Sequence, residues 1–149
     1  MRNRLLWAVG AVIVAMTMTS VGSEAASATM VDVAERLYRK ATPESFAEQC
    51  KGSAAKLEIE GERHSCAKPQ MTSIVRFEGE SPTDVTVYRK GLHKEVLGQL
   101  KRKLGAPSSV KTLGAMKMHF WFTKDASVSV GLQDSARSRS TMVSFRSPK

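Results

Sequence analysis

Imidazole, thiol and thioether side chains are the groups in this 149-residue chain that could carry out chemistry. The three histidines are His64, His93 and His119. A pair such as His93 and His119, with Lys90 or Lys117 beside it, has the components for acid–base cleavage of a phosphodiester. The spacing alone does not bring the rings together, and no accompanying nuclease motif is present. The plainer reading has His93 partly buried against the sheet or exposed at a helix start, and His119 on a strand surface.

Met116, Met118 and His119 offer thioether and imidazole groups, which suit Cu(I). On a strand, however, Met116 and Met118 point to one face and His119 to the other, so the three do not converge. Met118 also aligns with Phe120 and Phe122, as a core filler would. No cofactor is expected.

The two cysteines, Cys50 and Cys66, lack the Cys-x-x-Cys spacing of a redox dithiol. Their setting favours a structural disulfide. Arg2 and Arg4 precede an apolar run over 5–21, and small residues follow up to Ala28. That is the build of a secretory signal peptide over 1–28, with cleavage after Ala28. Exported chains meet an oxidising compartment, where two thiols pair. The domain expected to fold is then 29–149, and it carries no transmembrane segment once the signal is removed. Localisation is read as periplasmic or secreted.

Charge is placed unevenly. Residues 29–80 carry eight Lys/Arg and nine Asp/Glu, whereas 81–149 carry thirteen Lys/Arg and four Asp/Glu. A one-sided basic excess points to an anionic partner for the second half. No motif for sequence-specific nucleic-acid binding is present.

These residues need elements to position them. Met30, Val33, Ala34, Leu37, Tyr38 and Ala41 form a helical stripe, with Thr29 as the expected cap. Thr42 and Pro43 start a second helix. Residues 56–60 alternate as a strand with Leu57 and Ile59 inward, 62–70 reads as a loop, and 71–77 and 84–88 are extended. Leu92, Val96, Leu97, Leu100 and Leu104 mark a helix over 91–104, stopped by Gly105 and Pro107. A short strand over 110–113 leads into a meander over 116–145. In it Met118, Phe120 and Phe122 share one face, expected to pack on the leucines of the preceding helix. Lys117, His119 and Trp121 share the other. Open to solvent, that second face would be a charged, stacking platform; covered by the N-terminal helices, Trp121 is core.

The expected fold is α+β: an N-terminal helix pair, then an antiparallel sheet with a β-α-β-β-β C-terminal half, the helices packed on the sheet. The leading functional reading is a non-enzymatic exported module that binds an envelope protein or an anionic envelope component, a lipid headgroup or polymer. Lys101, Arg102, Lys117, His119, Trp121, Arg137 and Arg139 are the expected contacts. The alternatives are a small hydrolase using His93 and His119, and a periplasmic copper-binding protein.

Overall fold

A computed structural model describes residues 22–91, 93–122, 129–135 and 140–148. Two helices come first, α1 (Gly22–Lys40) and α2 (Pro43–Gln49). Four strands follow: β1 (Lys56–Glu60), β2 (Arg63–Ala67), β3 (Thr72–Glu78) and β4 (Ser81–Lys90). The helix α3 (His93–Leu104) leads to β5 (Ser109–Leu113), β6 (Met116–Phe122), β7 (Ser129–Ser135) and β8 (Ser140–Arg146). All eight strands form one antiparallel sheet in the order β1-β2-β3-β4-β8-β7-β6-β5. The expected α+β class and the helix pair are therefore observed. A helix layer followed by a four-strand meander occurs twice, and the last strand of each meander meets the other at the sheet centre.

Local chemistry accounts for the turns. The β1–β2, β3–β4 and β5–β6 hairpins each close through two residues, led by Gly61, Gly79 and Gly114 with φ of 59°, 62° and 58°. Primed hairpin turns need a positive φ there, which glycine adopts without a Cβ clash. The first of these turns corrects the expected loop over 62–70. Its first half is β2, because the tight turn at Gly61 folds Arg63–Ala67 back along β1. Pro69 breaks the ladder only after that strand has ended.

α2 starts as its sequence dictates. Thr42 Oγ1 accepts from the Ser45 amide at 3.1 Å, and Ser45 Oγ accepts from the Thr42 amide at 2.9 Å, closing a capping box. α1 begins earlier than the Thr29 cap predicts. Glu24, Ala25, Ala26 and Ala28 are strong helix formers and extend the helix back to Gly22. The expected cleavage point thus lies within the α1 backbone, just ahead of the buried residues Met30 and Val31. Among the described residues no helix is long and apolar enough to cross a membrane.

The core lies between the helices and one face of the sheet. Met30, Val31, Ala34 and Leu37 of α1, and Val96 and Leu100 of α3, meet Val75, Val85, Val87, Leu132, Val143 and Phe145. Tyr38 lies 6.0 Å from the Phe145 ring, and its hydroxyl and Ser147 Oγ share a 2.6 Å hydrogen bond. Cys50 and Cys66 form a disulfide with a Cα–Cα distance of 5.7 Å, tying the end of α2 to β2. Beside it, His64 is edge-on to Phe46 and Phe77, with ring centroids 6.4 and 4.9 Å away.

The two helices are joined at Glu35, whose carboxylate accepts from Lys103 of α3 and from Arg39 Nε at 3.2 Å. Partial burial works to raise the Glu35 carboxyl, but the hydrogen bonds and charges of Lys103 and Arg39 outweigh it. They hold it below the ordinary carboxylate value. A carboxyl depressed in the folded state adds stability above its unfolded value and loses it as pH falls through the folded one. Glu35→Gln is therefore expected to lower the urea midpoint at neutral pH. The gap to the parent should close as pH falls below about 4, and it stays under about 1 kcal/mol because the pair is partly exposed. Urea melts of both proteins across pH check this.

Candidate binding face

The register decides which side chains face the helices and which do not. On the helix side one backbone row runs Val110, His119, Leu132, Val143, Val87, Ser73, Cys66 and Leu57. His119 and Trp121 are only 5% and 2% exposed, whereas Phe122 is 63% exposed. This reverses the expected facing of β6. Trp121 donates its indole N–H to the Gly105 carbonyl at 3.0 Å, which seats it under the end of α3. His119 stacks on it with ring centroids 6.2 Å apart. Met118, Phe120 and Phe122 turn away from the helices.

The physical reason is that β6 carries large apolar groups on both sides, so alternation alone gives two candidate inner faces. Cross-strand pairing breaks the tie. His119 and Trp121 oppose Leu132 and Val130, and Leu132 in turn opposes the fully buried Val143.

The described members of the expected contact set consequently do not gather. Lys101 and Arg102 are exposed on the solvent side of α3, and Lys117 is exposed near the start of β6. His119 and Trp121 are core residues, so they form no surface platform. Arg137 and Arg139 lie outside the described residues, as do the expected signal segment up to residue 21 and the side chain of His93. Met116 and Met118 stand on the face opposite His119. Among the described residues no group of three or more His, Cys, Asp or Glu is placed to hold a metal ion.

The other face of the sheet holds what the sequence reading passed over. α1 packs on β3, β4 and β8 from one side, and among the described residues no helix covers the reverse side. There Tyr88 is 39% exposed and Leu113 59%. Met116, Met118, Phe120, Met142 and Ile74 are half-buried around them. Tyr88 opposes Met142 on one side and Thr72 on the other.

One end of this face is charged. Arg146, Asp84, Arg76 and Arg63 occupy one backbone row across β8, β4, β3 and β2. Arg146 Nε donates to Asp84 Oδ2 at 2.7 Å, and Arg63 lies 3.6 Å from Glu60. Arg63 and Arg76 sit directly opposite each other. Like charges so placed repel, which costs stability. Both border a depression of about 260 Å³ floored by Ile74, Thr86, Tyr88 and Met142. A neighbouring hollow of about 610 Å³ at the sheet end shares Arg76 and Asp84 and adds Arg146 together with the carboxylates of Glu62 and Glu78. It opens where the β3–β4 register shifts between Arg76 and Phe77, with Thr83 as the extra residue of β4.

A greasy, half-covered floor with guanidinium groups on its rim holds no nucleophile–base pair. What it suits chemically is an apolar group that carries a carboxylate. Two signals in the sequence pointed here. Arg63, Ser65 and Ala67 alternate with His64 and Cys66, and Thr86 and Tyr88 alternate with Val85 and Val87.

Comparison with known proteins adds the fold and no more. No family model and no curated protein matches this chain. A solved structure does: the crystal structure of a DUF4309 family protein (YjgB) from Bacillus subtilis subsp. subtilis str. 168 is similar with a TM-score of 0.51 at 8% identity. The match covers 85% of this chain and 98% of that one.

Proposed function

We propose that this protein is an exported, non-enzymatic binding module that recognises a partner protein through the helix-free face of its sheet. The carrying observation is the pair of opposed arginines, Arg63 and Arg76, beside the Tyr88–Met142–Ile74 floor. Glu60 beside Arg63 and Asp84 opposite Arg76 offset part of the repulsion, but Asp84 is already engaged by Arg146, so the pair retains room for an anionic group from a partner. Tyr, Phe, Met and Arg are the side chains enriched at protein interfaces. Eight strands spaced ~4.8 Å apart, with four rows of outward side chains, present about 700 Å², close to the ~800 Å² each partner gives to a standard interface. The partner is an acidic, partly apolar protein surface. Export is supported by the basic and apolar N-terminal segment and agrees with the Cys50–Cys66 disulfide.

The lysines of α3 and its one arginine support a second reading, in which Lys101 and Arg102 contact an anionic envelope surface. One set of variants separates the two. Arg76→Thr is expected to raise stability by ~0.2–1 kcal/mol by relieving repulsion, and to weaken retention of the envelope partner. Lys101→Glu with Arg102→Glu should leave that retention unchanged. If Arg76→Thr destabilises and retention is unaltered, the face is not the site. Salt-sensitive flotation on anionic vesicles, lost in the Lys101→Glu/Arg102→Glu protein, would move the site to α3.

A further inference from the structure

Among the described residues the sheet ends in two uncovered edge strands, β1 and β5, and they are built differently. β1 carries Lys56, Glu58 and Glu60, with ion pairs Lys56–Glu58 at 2.7 Å and Glu60–Arg63 at 3.6 Å along it. Charges along an edge oppose the addition of another strand. β5 has one charged residue, Lys111. Its ammonium lies over the Phe120 ring of β6, 5.9 Å from the centroid, drawn inward over the sheet and away from the free edge. Val110 and Leu113, on opposite faces of β5, are 49% and 59% exposed. The β5 edge therefore combines backbone groups without a partner among the described residues, apolar side chains on both sides, and one lysine that lies over the sheet, leaving the edge unblocked while its charge stays on the neighbouring face.

The charge around β5 selects its occupant. A second copy would pair β5 with itself about Lys111, setting Lys111 against Lys111. Lys117, the cross-strand partner of Thr112, adds further positive charge. Like charges directly opposite destabilise a strand pair. We infer that the free edge of β5 accepts an extended segment of a partner protein by antiparallel strand addition, with an acidic side chain of that segment facing Lys111. Backbone hydrogen bonds supply the attachment, and Val110 and Leu113 receive apolar side chains on the two faces. This inference goes beyond the open-face reading and survives its failure, since it rests on the edge and not on Arg63, Arg76 or Tyr88.

The probe is a capped peptide, Thr-Val-Thr-Glu-Val-Thr-Thr, titrated into the full chain and followed by amide chemical shifts. In antiparallel register, with the glutamate opposite Lys111, its two valines oppose Val110 and Leu113. The expected result is shifts centred on Ser109–Leu113, binding weakened at least tenfold by Lys111→Glu, and recovery in that variant by a peptide with lysine in place of glutamate. A fully N-methylated peptide should not bind, because it cannot form the ladder. The inference is overturned by no shifts at millimolar peptide, or by shifts centred on β1 or the open face. Equal binding of the methylated peptide, indifference to Lys111→Glu, or a concentration-dependent dimer of the protein alone in ultracentrifugation would also overturn it.

Discussion

Trp121→Ala is expected to destabilise the fold by about 3–5 kcal/mol, while Phe122→Ala, one residue on, changes stability by no more than ~0.5 kcal/mol. Trp121 is 2% exposed, and its truncation removes a large volume from the core under α3. It also strips the Gly105 carbonyl of its indole donor at the end of that helix. Phe122 sits on the uncovered face at 63% exposure and gives up little burial. Urea denaturation of the two variants reads the difference directly. Equal costs, or a larger one for Phe122→Ala, would mean that β6 faces the other way. The open-face reading would go with it.

Loss of the disulfide is the second large effect. Cys50→Ala with Cys66→Ala is expected to cost about 3 kcal/mol, since the bridge closes a loop across a sequence separation of 16. For a domain of this size that lowers the melting midpoint by on the order of 10 °C. The loss should be localised. α2 is a helix of 7 residues with Phe46 as its buried anchor, too short to persist without tertiary support. Amides of α2 and β2 are therefore expected to lose exchange protection first, while β4 and β8 at the sheet centre keep theirs. A variant as stable as the parent would show that Phe46 packing against His64 and Phe77 holds α2 by itself.

How much of this was legible in the sequence depends on the element. The α1 stripe and the α3 leucines obey a 3.6-residue period, and Thr42–Pro43 and Gly105 are strong start and stop signals, so the helices were readable. β8 was equally clear, because Thr141, Val143 and Phe145 alternate with polar or flexible residues. β6 was not. It bears Met118, Phe120 and Phe122 on one side and Trp121 on the other, and a period of two cannot rank two apolar sides. Only pairing with β7, whose Leu132 meets Val143, decides the matter. β2 was missed for a different reason. It is 5 residues long and has a histidine, a serine and a cysteine among its inner or buried positions, with no long aliphatic group to signal a strand.

The site was less visible still. Net charge by halves directed attention to 81–149, yet Arg63 and Arg76 lie in the half whose balance is slightly acidic. Counting charges along the chain averages away what register brings together across strands. The opposed arginines exist only once β2 pairs with β3.

The central claim, that the helix-free sheet face is the recognition surface, is tested most directly by photocrosslinking in cells that make the protein. Benzoylphenylalanine would replace Tyr88, Met118 or Phe122 on the open face, and Lys40, Lys94 or Arg102 on the helix side. The account predicts one discrete protein adduct from the open-face positions and none from the helix side. Adducts from the helix side alone, or from both sides equally, would contradict it.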